Sequence, residues 1–278
     1  MKTKPQFDLL NFVIEGDGPP VILLHGISAS LDHWQYLLPE LISAGYCALA
    51  MDLLGHGDSA KPRDPRLYTM DALYGAFEAL LDCLQLDPPF TLVGHSLGGY
   101  LSLRYAHRNP RNVRAMVLID PLYSLKQLTP ALGTLMPLNF LGVKILKATP
   151  RPVVDTFLSL DETFTMDLAP RIRQMYARDV KRASPYFLLI PASAKDLTPR
   201  LKDIPAQTLV IWGAQDRIEY PHSFPRLVSG LPHATGRIIA GGGHQPHHGK
   251  PKLVNRIILD FINQSASVSE RQPAQGLA

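Results

Sequence analysis

Short apolar runs alternate with longer helical stretches along most of this chain, and Gly or Pro bounds each of them. The apolar runs predict strands at Phe7 to Glu15, Val21 to Leu24, Tyr46 to Met51, Phe90 to Val93, Val113 to Ile119, Thr208 to Trp212 and Arg237 to Ala240. The stretches between them predict helices at Leu31 to Ser43, Met70 to Gln85, Leu97 to Arg108, Pro221 to Val228 and Leu253 to Asn263. This alternation predicts an α/β fold, with a mostly parallel central sheet and helices on both of its faces.

The alternation stops between residues 121 and 203, where prolines and helical fragments replace the strands. A segment of that length without a sheet element predicts a helical cap inserted into the core. The core is then built from residues 1–120 and 204–264. Residues 265–278 are polar and include Pro273 and Gly276, which predicts a disordered tail.

Size and composition are those of one large globular domain, alone or with an inserted subdomain: 278 residues, of which 46% are hydrophobic. The sequence lacks an apolar run of about 18 residues, and its polar N-terminus does not resemble a secretory leader. We therefore expect a cytoplasmic protein without stable membrane insertion. Cys47 and Cys83 lie in apolar stretches, and we interpret both as small buried thiols.

The net charge of +4 is unevenly distributed. Residues 121–203 hold 12 Lys and Arg against 7 Asp and Glu. Pairs such as Lys181 and Arg182 could attract an acidic substrate, but the segment lacks the density of basic and aromatic residues expected of a nucleic-acid site. A solvated helix face is the simpler interpretation, and we expect no nucleic-acid partner.

Candidate chemistry begins at Ser96, which stands between Gly94 and Gly98 directly after a predicted strand and before a predicted helix. A G-x-S-x-G pattern in that setting is typical of a sharp turn that exposes a nucleophilic serine, with small residues where strand and helix approach closely. The amides of the helix N-terminus can stabilise negative charge that develops on a bound oxygen.

A serine nucleophile needs a base and a carboxylate that orients the base. His244 follows the last predicted strand after three glycines, and Asp216 follows the preceding strand. In a parallel sheet both would lie on the same edge as Ser96. These three residues are therefore the predicted catalytic residues.

These motifs together resemble the α/β-hydrolase superfamily, and a serine esterase-like member in particular, over nearly the whole chain and in the order serine, acid, histidine. Further matching blocks are Leu23 to Ile27, Met51 to Ser59, Pro246 and Pro251 to Asn255. The resemblance implies that the amides of Ile27 and Leu97 form an oxyanion hole. It also leaves Asp120 as the rival acid, because some members place their carboxylate after that earlier strand.

The resemblance implies hydrolysis of small or medium carboxylic esters through an acyl-enzyme, with a small-molecule ester as the partner and no cofactor. Hydrolases of this fold that cleave carbon–carbon bonds in ring-fission products commonly carry Asn before the serine and Trp after the histidine, whereas this chain has His95 and Gln245. Carbon–carbon cleavage is the alternative, followed by cofactor-free haloperoxidase or perhydrolase activity. A non-catalytic ligand-binding member of the fold is a further alternative.

The sequence predicts no metal site. His244, His247 and His248 are close along the chain, but no Cys, Asp or Glu stands nearby as a further ligand. His25 and His95 flank the presumed reactive groups, and we interpret each as a packing and hydrogen-bonding residue.

Overall fold

A computed structural model of the chain describes residues 8–128, 139–150, 152, 153, 156 and 168–270. Within these ranges seven strands form one sheet. They are Phe12–Glu15 (β1), Pro20–Leu24 (β2), Cys47–Met51 (β3), Phe90–His95 (β4), Val113–Ile119 (β5), Gln207–Gly213 (β6) and Ala234–Ile239 (β7). The predicted first strand began at Phe7, whereas β1 begins at Phe12.

The strands lie in the order β1-β3-β2-β4-β5-β6-β7. β1 runs antiparallel to β3, and the other neighbouring pairs are parallel. The carboxyl ends of β2, β4, β5, β6 and β7 therefore lie along one edge of the sheet, where the loops of an open α/β sheet form ligand sites. The predicted fold class is confirmed.

Helices cover both faces of this sheet. The α-helices of the described ranges are Leu38–Ser43 (α1), Met70–Leu84 (α2), Leu97–Arg108 (α3), Asn139–Ala148 (α4), Pro170–Arg182 (α5), Phe224–Gly230 (α6), Pro246–Gly249 (α7) and Pro251–Glu270 (α8). Helix α3 begins directly after Ser96. Segments of 3-10 helix occupy Leu31–Trp34, Pro65–Leu67, Pro110–Asn112, Leu125–Gln127, Pro185–Ser193, Thr198–Asp203 and Pro221–Ser223. The predicted helix from Leu31 to Ser43 is thus split into a 3-10 turn and α1.

Two hydrophobic layers hold the sheet between them. Successive residues of β2 point to opposite faces. Ile22 and Leu24 pack with the layer that includes α2 and α3, and Val21 and Leu23 pack with the layer that includes α8. Because the central strands are buried on both faces, they consist of continuous apolar runs.

Helices and turns make up the described part of residues 121–203, where no strand occurs and one isolated bridge joins Leu128 to Glu219. Helix α5 contacts the loop after β2, since Ser30 Oγ donates to Asp179 Oδ2 at 2.7 Å and Ser28 Oγ lies 3.2 Å from Tyr176 Oη. Part of the predicted cap, residues 129–138, 151, 154, 155 and 157–167, lies outside the described residues. The domain boundaries stay a prediction.

Two details correct the sequence analysis. Residues 265–270 continue α8, so the prediction of a disordered tail is wrong for them, and residues 271–278 lie outside the described ranges. Cys83 is exposed and Cys47 is partly buried, so the prediction of two buried thiols is wrong as well. The described helices include none with the length and apolar character needed to cross a lipid bilayer.

Candidate active site

Ser96 occupies a strained turn between β4 and α3. Its φ of 48° and ψ of −111° lie in a region that residues with a Cβ rarely adopt. The surrounding main chain holds this conformation: the Ser96 N–H donates to Ile119 O at 3.0 Å, and the Ser96 carbonyl accepts from Tyr100 N and Leu122 N, each at 3.1 Å. The geometry is that of a strand-turn-helix element built to present one side chain.

Glycines surround the turn because the main chains approach too closely for larger residues. A Cβ added to Gly94 would lie 2.5 Å from the carbonyl oxygen of Gly98, and one added to Gly98 would collide with the carbonyl oxygen of Leu24. A Cβ on Gly26 would lie 3.4 Å from Ser96 Cβ and 2.6 Å from His95 Nδ1. The loop after β2 therefore passes directly beside the serine.

The two main-chain amides that the sequence predicts for an oxyanion hole belong to Leu97 and Ile27. Leu97 is the first residue of α3, where a helix leaves its N–H groups without partners inside the helix. Ile27 follows Gly26 in the loop that touches Ser96, and the next residue, Ser28, has a φ of 56°. Such N–H groups can stabilise an oxyanion.

His244 and Asp216, which we name the acid–base pair, are joined by a hydrogen bond of 2.8 Å between His244 Nδ1 and Asp216 Oδ2. The other carboxylate oxygen of Asp216 accepts the N–H groups of Ile218 at 2.7 Å and Glu219 at 3.1 Å. Burial on its own would raise the pKa of Asp216, but the attraction of His244 and these hydrogen bonds outweigh burial and lower it. With an ionised carboxylate at Nδ1–H, the proton-accepting nitrogen of His244 is Nε2.

His95 connects the serine turn to the acid–base pair. Its Nε2–H donates to the main-chain carbonyl of His244 at 2.9 Å, and the two ring centroids are 5.0 Å apart. Burial lowers the pKa of His95 well below its usual value, so the ring is a neutral donor. The residue before Ser96 thus binds the main chain of His244.

Two further buried carboxyls, on Asp120 and Glu219, lie beside the acid–base pair. Asp120 Oδ1 accepts the Gly213 N–H at 2.9 Å, and the Asp120 carboxylate comes within 4.8 Å of Asp216 and His244. Burial and the nearby charge of Asp216 raise the pKa of both carboxyls well above their usual values. His244 Nδ1–H donates to Asp216, whereas Asp120 accepts a hydrogen bond from the main chain of β6.

A second group of histidines lies close by. His247 and His248 belong to α7, and His33 belongs to the 3-10 turn Leu31–Trp34; we name these three residues the imidazole cluster. Their ligand atoms lie within 4.8 Å of one another, and all three side chains are buried. Sequence reasoning missed this group, because no local pattern links His33 to residues more than 200 positions later.

His25 has a structural role. The Leu53 N–H donates to its Nε2 at 2.9 Å, and its Nδ1–H donates to Gly26 O at 2.7 Å, so both ring nitrogens are occupied by main chain. Burial lowers the pKa of His25 to about 4. These contacts agree with its interpretation as a hydrogen-bonding and packing residue.

Comparisons with known proteins place this geometry in context. A family model described as alpha/beta hydrolase fold matches residues 19–251. A 2-hydroxy-6-oxononadienedioate/2-hydroxy-6-oxononatrienedioate hydrolase from Paraburkholderia xenovorans is 27% identical over 259 residues, which cover 87% of this chain and 86% of the relative. A thermophilic esterase from Thermogutta terrifontis has a TM-score of 0.79 at 21% identity, covering 92% of this chain and 93% of the esterase. A bromoperoxidase from Bacillus anthracis has a TM-score of 0.78 at 24% identity, covering 91% and 95%.

Proposed function

This chain belongs to the alpha/beta hydrolase fold family, and we propose that it is a serine hydrolase that cleaves carboxylic esters of small or medium size. The family and the names of the relatives support a hydrolase. The ester bond, the catalytic roles of the residues and the small-molecule substrate are the proposal. No cofactor takes part in the proposed reaction.

In this reaction Ser96 Oγ attacks the ester carbonyl carbon while His244 Nε2 takes the hydroxyl proton. Asp216 stabilises the imidazolium, and the amides of Ile27 and Leu97 hold the carbonyl oxygen as it becomes negative. The tetrahedral intermediate expels the alcohol, which receives the proton from His244. Water then attacks the acyl-enzyme with His244 as the base again, which releases the acid and restores Ser96.

One observation carries the proposal: a hydrogen bond joins His244 to Asp216 at 2.8 Å, and His95 holds the main chain of His244 next to the strained Ser96 turn. A turn with a positive φ has a steric cost, and such strain persists where the surrounding structure supports a function. A binding protein that does not catalyse has no physical need for a strained serine beside an oriented imidazole.

The residues beside the reactive groups favour ester cleavage over carbon–carbon cleavage. The carbon–carbon hydrolases that this chain resembles commonly carry Asn and Trp where it has His95 and Gln245. His95 uses its Nε2–H to bind the carbonyl of His244, and Gln245 is buried at the start of α7. The names of the curated relatives nevertheless make carbon–carbon cleavage the second candidate, since a relative 29% identical over 263 residues from Burkholderia cepacia is a 2-hydroxy-6-oxo-6-phenylhexa-2,4-dienoate hydrolase.

The test compares p-nitrophenyl acetate and butyrate with 2-hydroxy-6-oxo-6-phenylhexa-2,4-dienoate, using the wild-type protein and Ser96→Ala. We expect ester turnover that falls by about 10⁴-fold or more in Ser96→Ala. Equal rates for the two proteins would overturn the serine mechanism. A kcat/KM for the dienoate above that for both esters, lost in Ser96→Ala, would retain the mechanism and replace the ester by the carbon–carbon substrate.

A further inference from the structure

The imidazole cluster brings three histidines together from two distant parts of the chain. The ring centroids of His247 and His248 are 4.4 Å apart, and those of His33 and His248 are 4.9 Å apart. One nitrogen from each ring lies within 4.8 Å of the others. The cluster is separate from the acid–base pair, although His95 lies between them with its ring centroid 4.7 Å from that of His247.

The side chains of the cluster are almost completely buried, with 2% exposure for His33 and 4% each for His247 and His248. Among the residues that the structure describes, none offers a hydrogen bond to any of the six ring nitrogens. Buried polar groups in folded proteins are nearly always satisfied, so a concentration of six such nitrogens in one place points to a bound ligand.

We propose that His33, His247 and His248 bind a divalent first-row transition-metal ion of the zinc class. Imidazole nitrogen is a preferred ligand for such ions, and three histidines with an exchangeable fourth ligand form a common coordination set. A tetrahedral zinc with Zn–N bonds of about 2.0–2.1 Å separates its nitrogens by about 3.4 Å, so the three rings would move together from separations of up to 4.8 Å on binding.

The chemistry around the cluster fits this ligand. Metal binds an imidazole through a ring nitrogen that is free of other bonds, and the described residues leave both ring nitrogens of His248 without a hydrogen bond. Oδ2 of Asp179 lies 3.6 Å from His33 Nε2, which places a carboxylate where it can orient the imidazole and leave Nδ1 for the metal. Trp34 stacks on His247 with ring centroids 5.5 Å apart and shields it from water.

Binding would join three elements that chain connectivity leaves apart: the turn after β2 through His33, the loop after β7 through His247 and His248, and helix α5 through Asp179. His244 lies only three residues before His247, so the same loop carries the proposed catalytic base. The metal is thus a structural clamp on this loop and takes no part in the proposed ester reaction.

The test uses the untagged full chain, freed of metal with EDTA and desalted. We expect calorimetric titration with ZnCl₂ to show one site per chain, and titration with CoCl₂ to produce the intense visible bands of four-coordinate cobalt. His33→Gln and His248→Gln should each weaken zinc binding by about 100-fold or more, beyond the 10–100-fold typical of residues outside the coordination sphere. Because metal binds the folded chain, zinc should also raise the Tm of the wild-type protein by several degrees.

Two controls make the result specific. His233→Gln changes an exposed histidine and should bind zinc like the wild-type protein. Asp216, His244 and Asp120 form a second group of possible metal ligands. Asp216→Asn changes this second group and leaves the imidazole cluster intact, so it should also retain zinc binding. Loss of binding in Asp216→Asn together with normal binding in His33→Gln would place the metal on the acid–base pair and overturn the proposal. Absence of one-site binding to the wild-type protein would overturn it without reference to whether any variant folds.

Discussion

The acid–base pair and the imidazole cluster are two neighbouring buried groups of ionisable side chains that share the segment after β7, and they differ in how the protein satisfies them. Asp216 accepts two main-chain N–H groups and bonds to His244, so its carboxylate is fully engaged. The ring nitrogens of His33, His247 and His248 have no hydrogen bond from the described residues, and the Asp179 carboxylate lies 3.6 Å from His33 Nε2. Only two residues, Gln245 and Pro246, separate the two environments at His244 and His247.

This difference shows what the acid–base pair and the imidazole cluster each need in order to be stable when buried. Burying a polar group without a partner costs free energy, and a buried charge needs an opposite charge or several hydrogen bonds. The acid–base pair meets this requirement with protein atoms alone. The described residues supply the imidazole cluster with no hydrogen bond, and the proposed metal ion would take up one ring nitrogen of each histidine.

The largest effect on turnover is expected from a substitution in the acid–base pair itself. Asp216→Asn should lower the kcat for p-nitrophenyl butyrate by about 10⁴-fold, because the amide no longer stabilises the imidazolium and favours the wrong tautomer of His244. Asp120→Asn is the matched control and should change kcat by less than about 10-fold, since Asp120 bonds to the Gly213 N–H. A large loss in Asp120→Asn with normal turnover in Asp216→Asn would make Asp120 the acid.

Gly26→Ala tests His95, the residue whose ring lies between the acid–base pair and the imidazole cluster. The new methyl would lie 2.6 Å from His95 Nδ1, so the ring that holds His244 must shift. We expect kcat/KM to fall by about 100-fold, the size of effect that a displacement of about 1 Å can have. Gly75→Ala is the control: its methyl meets nothing within 4 Å, and in the interior of α2 it should stabilise the chain by about 1 kcal/mol and leave turnover unchanged.

Asp179→Asn tests the imidazole cluster without removing a proposed ligand. The amide loses the charge that orients His33, so zinc affinity should fall by about 10–100-fold in calorimetric titration. Asp179 also forms an ion pair with Arg178, and Asp71 forms a comparable ion pair with Arg104. Asp71→Asn is therefore the control, and it should leave zinc affinity unchanged. An unchanged affinity in Asp179→Asn would remove Asp179 from the site.

The smallest effect concerns the pH dependence of stability near the acid–base pair. Burial raises the pKa of Glu219 above its ordinary 4.5, so its neutral form stabilises the fold at low pH, and this contribution is lost as the pH rises from 4.5 towards the folded pKa. Glu219→Gln cannot ionise, and its Tm at about pH 8 should exceed that of the wild-type protein by a few degrees, with little difference at about pH 4.

Asp216 contributes with the opposite sign. Its lowered pKa stabilises the fold above 3.8, and this contribution is lost as the pH falls through the folded pKa. Thermal unfolding of wild type, Glu219→Gln and Asp216→Asn from about pH 3 to pH 9 measures both signs. A Glu219→Gln profile parallel to that of the wild-type protein would show that Glu219 titrates normally.

Much of the fold could be predicted from the sequence because local patterns determine it. The β5 strand was predicted with its observed bounds, Val113–Ile119, since an apolar run between turn residues shows both ends of a buried strand. The turn at Ser96 was predictable for a similar reason, because the glycines that its close contacts require stand within two residues of it. The spacing of His244 and Asp216 after successive strands brought them to the same edge.

What the sequence did not reveal depends on contacts between distant residues. The imidazole cluster needs His33 beside His247, and no local pattern reports that contact. The buried carboxyls of Asp120 and Glu219 face Asp216 only after β5 and β6 pair. The polar residues from Ser265 onward predict a tail, whereas Ser265 is buried and its hydroxyl donates a hydrogen bond to Ile262 O within α8.

The main chain of Ser96 is bonded on both sides, to Ile119 of β5 and to Tyr100 and Leu122. Strand β5 and the first turn of α3 therefore hold its position, together with Leu122, the second residue of the predicted cap. Chimeras that exchange residues 123–203 for the corresponding segment of another member of the family should keep the serine turn intact and acquire a different substrate range. Such a result would separate the position of the reaction from the choice of substrate, and selectivity could then be redesigned by recombination without rebuilding the serine turn.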